Sequence, residues 1–215
     1  MNRITKGFLI SVACVFVLNF LGCGTSQPSH FYLLRALSPA SASGLSETKQ
    51  SSLSIGLGPV TFPEYLDRPQ IVTQASAHEV ELAEFHKWAA PLKENFANVL
   101  QENLSALLST DRIVQYPWKR SDPLDYQLSL EVIQFDGTKN QEAVLKVRWT
   151  LVGDDGEIVL QKKTSQFSEI LGGPDYEDLV EAMSRMLASL AQEIADAIKT
   201  PPPLKGANYK GSDTN

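Results

Sequence analysis

Cysteine is nearly missing from this chain of 215 residues: Cys14 and Cys23 are the only two, and both fall within the first 23 positions. The remainder therefore has no internal disulfide, no cysteine zinc site and no cysteine nucleophile. Basic charge is also short. The 19 Lys and Arg stand against 25 Asp and Glu, for a net charge of −6. Nucleic-acid binding needs a basic face, so no nucleic-acid partner is expected. No apolar run reaches the roughly 20 residues that a membrane-spanning helix needs. Neither a Gly-x-Ser-x-Gly elbow nor a phosphate loop occurs. What is present, 43% hydrophobic and 20% charged residues, suffices to bury a core in one domain or two.

The first residues read as an address. Arg3 and Lys6 give a short basic start, and Phe8 to Leu21 is an apolar run broken by Ser11 and Asn19. That is the pattern of a secretion signal. Leu21-Gly22-Cys23-Gly24 follows at once and resembles the lipobox of bacterial lipoproteins, although Phe20 stands where the pattern usually has Leu. The resemblance implies cleavage between Gly22 and Cys23 and lipidation of Cys23. Gly24 is not Asp, and an Asp there would imply inner-membrane retention in many Gram-negative bacteria. The expected location is thus the periplasmic face of the outer membrane. Loss of the signal removes two positive charges and no negative ones, leaving 17 minus 25, or −8. An acidic body is not drawn to anionic lipid, so the acyl chains must do the anchoring.

The expected organisation is a signal peptide at 1–22, a lipidated tether at 23–29, one domain at 30–200 and a disordered tail at 201–215. Within the domain, 30–35 reads as a first strand and 38–52, rich in serine, as a flexible loop. Strands follow near 53–60, 70–73 and 79–85. Pro91 suits the start of a helix whose apolar stripe is Leu92, Phe96, Val99, Leu100, Leu104, Leu107 and Leu108. A short strand, 113–116, is closed by Pro117. Strict alternation marks strands at 126–132 and 143–151, with Asp154-Asp155-Gly156 as a hairpin turn. The more polar 157–170 reads as an edge strand. Asp175 is placed to cap a last helix with one stripe from Leu179 to Ile198. The predicted fold class is α/β: a single domain with a mixed, mostly antiparallel sheet and two amphipathic helices packed on it.

Candidate chemistry is sparse. His30, His78 and His86 share no metal-binding spacing and read as separate surface residues. Asp154-Asp155 is explained by the turn, and Glu79, Glu81 and Glu84 read as a solvated strand face. No catalytic residue, metal or cofactor is expected.

One connection is different. Gly58 to Val72 carries Phe62, Tyr65 and Leu66 between prolines, whereas strand connections are usually short and polar. Two readings compete: these side chains cover a sheet end, or they form a stiff contact loop in which Tyr and Arg act as anchors. Trp88, before Ala89-Ala90-Pro91, raises the same question. The contact reading names Phe62, Pro63, Tyr65, Leu66, Arg68, Pro69 and Trp88 as partner-binding.

The chain resembles the PqiC-type auxiliary lipoproteins of ABC-linked transport systems. The resemblance rests on the lipobox, His30-Phe31-Tyr32-Leu33-Leu34, the segment Gly58 to Val72, and Trp88-Ala89-Ala90-Pro91-Leu92 running into Asn95-Phe96. Its most specific part is Pro63-Glu64-Tyr65-Leu66-Asp67-Arg68-Pro69-Gln70. It implies a fold like the TolB N-terminal domain, assembly into a ring-shaped homo-oligomer, and docking to an MCE-domain tunnel protein that moves lipids between membranes and supports envelope integrity. The alternative is a stand-alone periplasmic binder of lipid or another hydrophobic ligand.

Overall fold

Strict alternation is the strongest local signal, and the two central strands follow it. In the computed structural model, which describes residues 27–36, 52–119, 123–139, 141–153 and 156–200, every second residue from Ala143 to Gly153 is buried. The signal, Cys23, most of the serine-rich loop, Asp154-Asp155 and the tail lie outside the described residues.

In chain order the elements are β1 (His30–Tyr32), β2 (Ile55–Thr61), a single 3₁₀ turn (Glu64–Leu66), β3 (Gln70–Ser76), β4 (Glu79–Trp88), α1 (Leu92–Leu108), β5 (Ile113–Gln115), β6 (Tyr126–Thr138), β7 (Glu142–Gly153), β8 (Ile158–Ile170) and α2 (Tyr176–Lys199). The fold is α/β: among the described residues, one eight-stranded mixed sheet with two helices. Its three antiparallel ladders, β3–β4, β6–β7 and β7–β8, include the longest ones. The four parallel pairings, β1–β4, β2–β5, β2–β6 and β3–β6, are short.

Strand β6 organises the sheet. Along one edge it carries β7 from Tyr126↔Gly153 to Gly137↔Ala143. Its other edge is shared. The first part pairs with β2, from Ile55↔Tyr126 to Thr61↔Glu131, and the far end pairs with β3 at Thr73↔Gly137 and Gln74↔Thr138. The sheet therefore forks between β2 and β3. Outside the fork, β5 lies on β2, while β4 and then β1 lie on β3.

Both helices cover one sheet face, α1 over β2 and β5, and α2 over β6, β7 and β8. Helix α1 buries Leu92, Phe96, Val99, Leu100, Leu104 and Leu108 at helical spacing. Helix α2 mixes large residues with Ala182, Ala188, Ala191 and Ala195, so its backbone comes close to the sheet and to α1. At Gly137 this closeness leaves no room for a side chain: a Cβ there would lie 2.6 Å from Leu179 Cδ1. Asp175 caps α2 in a capping box with Asp178, and the Asp175 N–H donates to Asp178 Oδ2 at 3.0 Å.

A part-buried polar cluster fixes α2 across β7 and β8. Trp149 Nε1–H donates to Ser165 Oγ and to Glu193 Oε1, each at 3.1 Å, and Ser165 Oγ donates to the same carboxylate. Lys163 Nζ closes the cluster, 2.8 Å from Glu193 Oε2. Burial works to raise the Glu193 carboxyl, but the bonds from Lys163, Ser165 and Trp149 outweigh it and hold the group below its ordinary value.

Candidate functional site

A forked sheet leaves a gap that the intervening chain must fill, and residues 62–69 fill it. Phe62 leaves the end of β2 and stands edge-on to Phe96 of α1 and Phe135 of β6, with ring centroids 5.2 and 6.4 Å apart. Phe96 and Phe135 are themselves edge-on at 5.3 Å. Such a trio gains from both apolar burial and quadrupole geometry. Leu66, at the end of the 3₁₀ turn, is 2% exposed.

Tyr65 reaches over the sheet face that α1 and α2 leave uncovered. Trp149 of β7 points to α2, so Val144, an odd number of residues away, points to the opposite face, and Asp136 pairs with Val144. The Asp136 carboxylate is fully buried and takes three neutral donors: Tyr65 Oη–H at 2.8 Å, Gln74 Nε2–H at 3.0 Å and Gln134 Nε2–H at 2.8 Å. A β-bulge between Val132 and Gln134 brings Gln134 and Asp136 into this position. Burial, then the bond to Asp136, raises the Tyr65 phenol far above its ordinary value, so it stays a donor throughout the working pH range.

These clamps favour the sheet-cover reading for the inner side of the loop. Leu66, at 2% exposure, belongs to the core, while Trp88, at 6%, is largely buried and keeps only the part of its surface that lines the cleft described next. Phe62 and Tyr65 are half-buried and spend their functional ends inward. The reason is topological: a loop that fills a fork needs apolar side chains on its inner side.

Its outer side is a rim with a cleft. Asp67, Arg68 and Pro69 face Trp88, Ala89, Ala90, Pro91 and Leu92 across a cleft of about 310 Å³. The two walls are tied together, since the Trp88 N–H donates to Pro69 O at 2.7 Å. Among the described residues Arg68 forms no ion pair, and its Nε is buried without a hydrogen-bond partner. The amino end of α1 opens onto the same cleft. Pro91 offers no side-chain cap, and the first bond of the helix is Asn95 N–H to Pro91 O, at 3.0 Å. Free first-turn amides and the Arg68 guanidinium bring hydrogen-bond donors to the cleft, beside the Asp67 carboxylate on its wall. Of the residues singled out in the sequence, Pro63, Arg68 and Pro69 thus stay on or near the surface, with Arg68 alone carrying charge.

The structure also joins residues that spacing kept apart. His30 and His86 are register partners on β1 and β4, stacked with centroids 5.2 Å apart, so they are not separate surface residues. His86 Nδ1 lies 2.7 Å from Tyr32 Oη, and the His86 ring stacks on Tyr176 at 4.1 Å. Burial, then the charges of His30 and Lys139, lower the His86 pKa, against a smaller opposing effect of Asp175. Burial, then Glu177 and Asp175, raise the Tyr32 phenol. Both shifts favour a neutral pair in which Tyr32 Oη–H donates. Parallel pairing of β1 with β4 makes this cluster, and no local motif announces a partner 56 residues away. Among the described residues no group of three or more His, Cys, Asp or Glu is placed to hold a metal ion.

Comparison with known proteins gives a consistent picture. Residues 32–195 match the model of a family described as the ABC-type transport auxiliary lipoprotein component. The "Intermembrane transport lipoprotein PqiC" of Escherichia coli (strain K12) is 24% identical over 199 residues, covering 92% of this chain and all of that protein. The protein of the same name from Shigella flexneri aligns equally well. A crystal structure of an uncharacterized protein superposes with a TM-score of 0.66 at 21% identity, over 80% of this chain and 99% of that one. A second, from Xanthomonas campestris, gives 0.62 at 14% identity, over 78% and 94%. These likenesses show the fold. The family match spans both walls of the cleft, the fork, all of α1 and most of α2, and so this chain, a transport-associated lipoprotein, belongs to the family of ABC-type transport auxiliary lipoprotein components.

Proposed function

We propose that the protein is a non-enzymatic auxiliary subunit of an MCE/ABC-type intermembrane lipid transport system. Cys23 anchors it to the periplasmic face of the outer membrane. Its domains assemble into a ring that receives the end of an MCE-domain tunnel protein, and the assembly supports envelope integrity. The observation that carries the docking role is the Arg68 cleft. A loop clamped from inside by Phe62, Tyr65 and Leu66 presents an unpaired guanidinium beside an uncapped helix start. A pre-shaped wall loses little conformational entropy on docking, and a charge at its rim adds specificity.

Capture of the MCE-domain partner by the mature lipoprotein tests this. Arg68→Glu reverses the charge at the rim without touching the inner clamps. Capture should fall at least tenfold, with thermal stability retained. Unchanged capture by a folded Arg68→Glu protein removes the cleft from the interface. The anchor has its own check: Cys23→Ala should abolish labelling by metabolically supplied palmitate, and persistent labelling would show that another residue carries the lipid.

A further inference from the structure

Strand β1 and the residues after it alternate, but in an unusual sense. Leu34 points inward and is 2% exposed, and Tyr32 packs against the core. Phe31 and Leu33 point outward, 65% and 37% exposed. This segment is rigidly held. The Ala89 N–H donates to Tyr32 O at 2.9 Å, the Leu34 N–H to Asn95 Oδ1 at 2.8 Å, and the Arg35 N–H to Ser184 Oγ at 3.1 Å. A phenyl ring and an isobutyl group are thus fixed in the open at the rim of a groove of about 500 Å³ between this segment and the start of α2.

Position along the chain says what covers them. Phe31 comes eight residues after Cys23, and eight residues span at most about 28 Å. Other exposed apolar side chains, such as Val114, Tyr116 and Val159, lie far downstream of the anchor. We infer that Phe31 and Leu33 are a second membrane contact, inserting into the headgroup boundary of the leaflet that holds the acyl chains. This rests on the anchoring of Cys23 proposed above. A short tether raises the effective concentration of such a patch at the bilayer to about the millimolar range, so two side chains suffice to bias orientation. Arg35 lines the same groove as Glu177 and Glu181, and Arg185 pairs with Glu181, so the groove carries charge of both signs and a zwitterionic surface is the matching one. The contact fixes β1 against the leaflet and so sets how the rest of the domain stands above it.

The test uses the mature lipoprotein in vesicles of phosphatidylcholine and phosphatidylethanolamine. Acylated Cys23 has no free thiol, so Phe31→Cys and Val159→Cys each add one labelling site. Val159, on the β8 edge of the sheet, is 61% exposed and matches Phe31 in accessibility. A polarity-sensitive fluorophore at 31 should shift to the blue and be quenched at least threefold more by lipid-borne doxyl groups than the same label at 159. Equal quenching of the two labels in a chain that floats with the vesicles overturns the membrane contact alone. Uptake of label by the unaltered mature chain shows Cys23 to be a free thiol, and then the anchor fails first and this inference falls with it.

Discussion

Tyr65→Phe isolates one atom of the proposed architecture. The substitution keeps the ring that covers the fork and deletes the Oη–H that reaches Asp136 at 2.8 Å. Hydrogen bonds to charged groups contribute about 1.5–3 kcal/mol. Gln74 and Gln134 still serve the carboxylate, so the lower end applies. For a domain of this size about 1.5 kcal/mol corresponds to a fall in melting temperature of about 3–6 °C. Urea unfolding should show a lower midpoint at an unchanged slope. In a double-mutant cycle with Asp136→Asn, the two losses should fall short of additivity by about 1 kcal/mol or more. Partner capture should stay near wild type, because the phenol works inward. A Tyr65→Phe protein as stable as the parent within about 0.5 kcal/mol would refute the strut. Retained stability with lost capture would return Tyr65 to the contact surface.

Leu66→Ala and Trp88→Ala each truncate a buried side chain and should cost about 2–5 kcal/mol, read by chemical unfolding; near-neutral values would mean these positions are not core. The Glu193 carboxyl is held below its ordinary value of 4.5, so its contribution to stability is full above that pH and is lost as pH falls through the lowered value. The stability curve of Glu193→Gln should therefore be flatter than the parent's in acid, and parallel curves would contradict the cluster. His86 titrates below its ordinary 6.5, so folding favours the neutral ring, and stability drops as acidification charges it. An imidazole NMR titration with a midpoint above 6.5 would reverse that sign. Asp175→Ala should remove the capping box of α2 at a cost of about 1 kcal/mol, measured by thermal unfolding.

Local periodicity alone determined most elements of this protein. Strands β6 and β7 alternate because one face is buried, α1 and α2 carry one apolar stripe each, and the cap at Asp175 is written in Asp175 and Asp178. The positions that mislead are those whose partners lie far along the chain. Phe62, Tyr65 and Leu66 read equally well as a sheet cover and as a contact loop, because a sequence does not show that β6 shares one edge between β2 and β3. Only that fork turns the apolar side chains inward, buries Trp88 and leaves Arg68 unpaired at a cleft. The meeting of His30 with His86, and of Tyr65 with Asp136, likewise depends on strand register. Neighbours in sequence set which way a side chain points, but the closure of distant strands decides whether it meets solvent or another part of the fold.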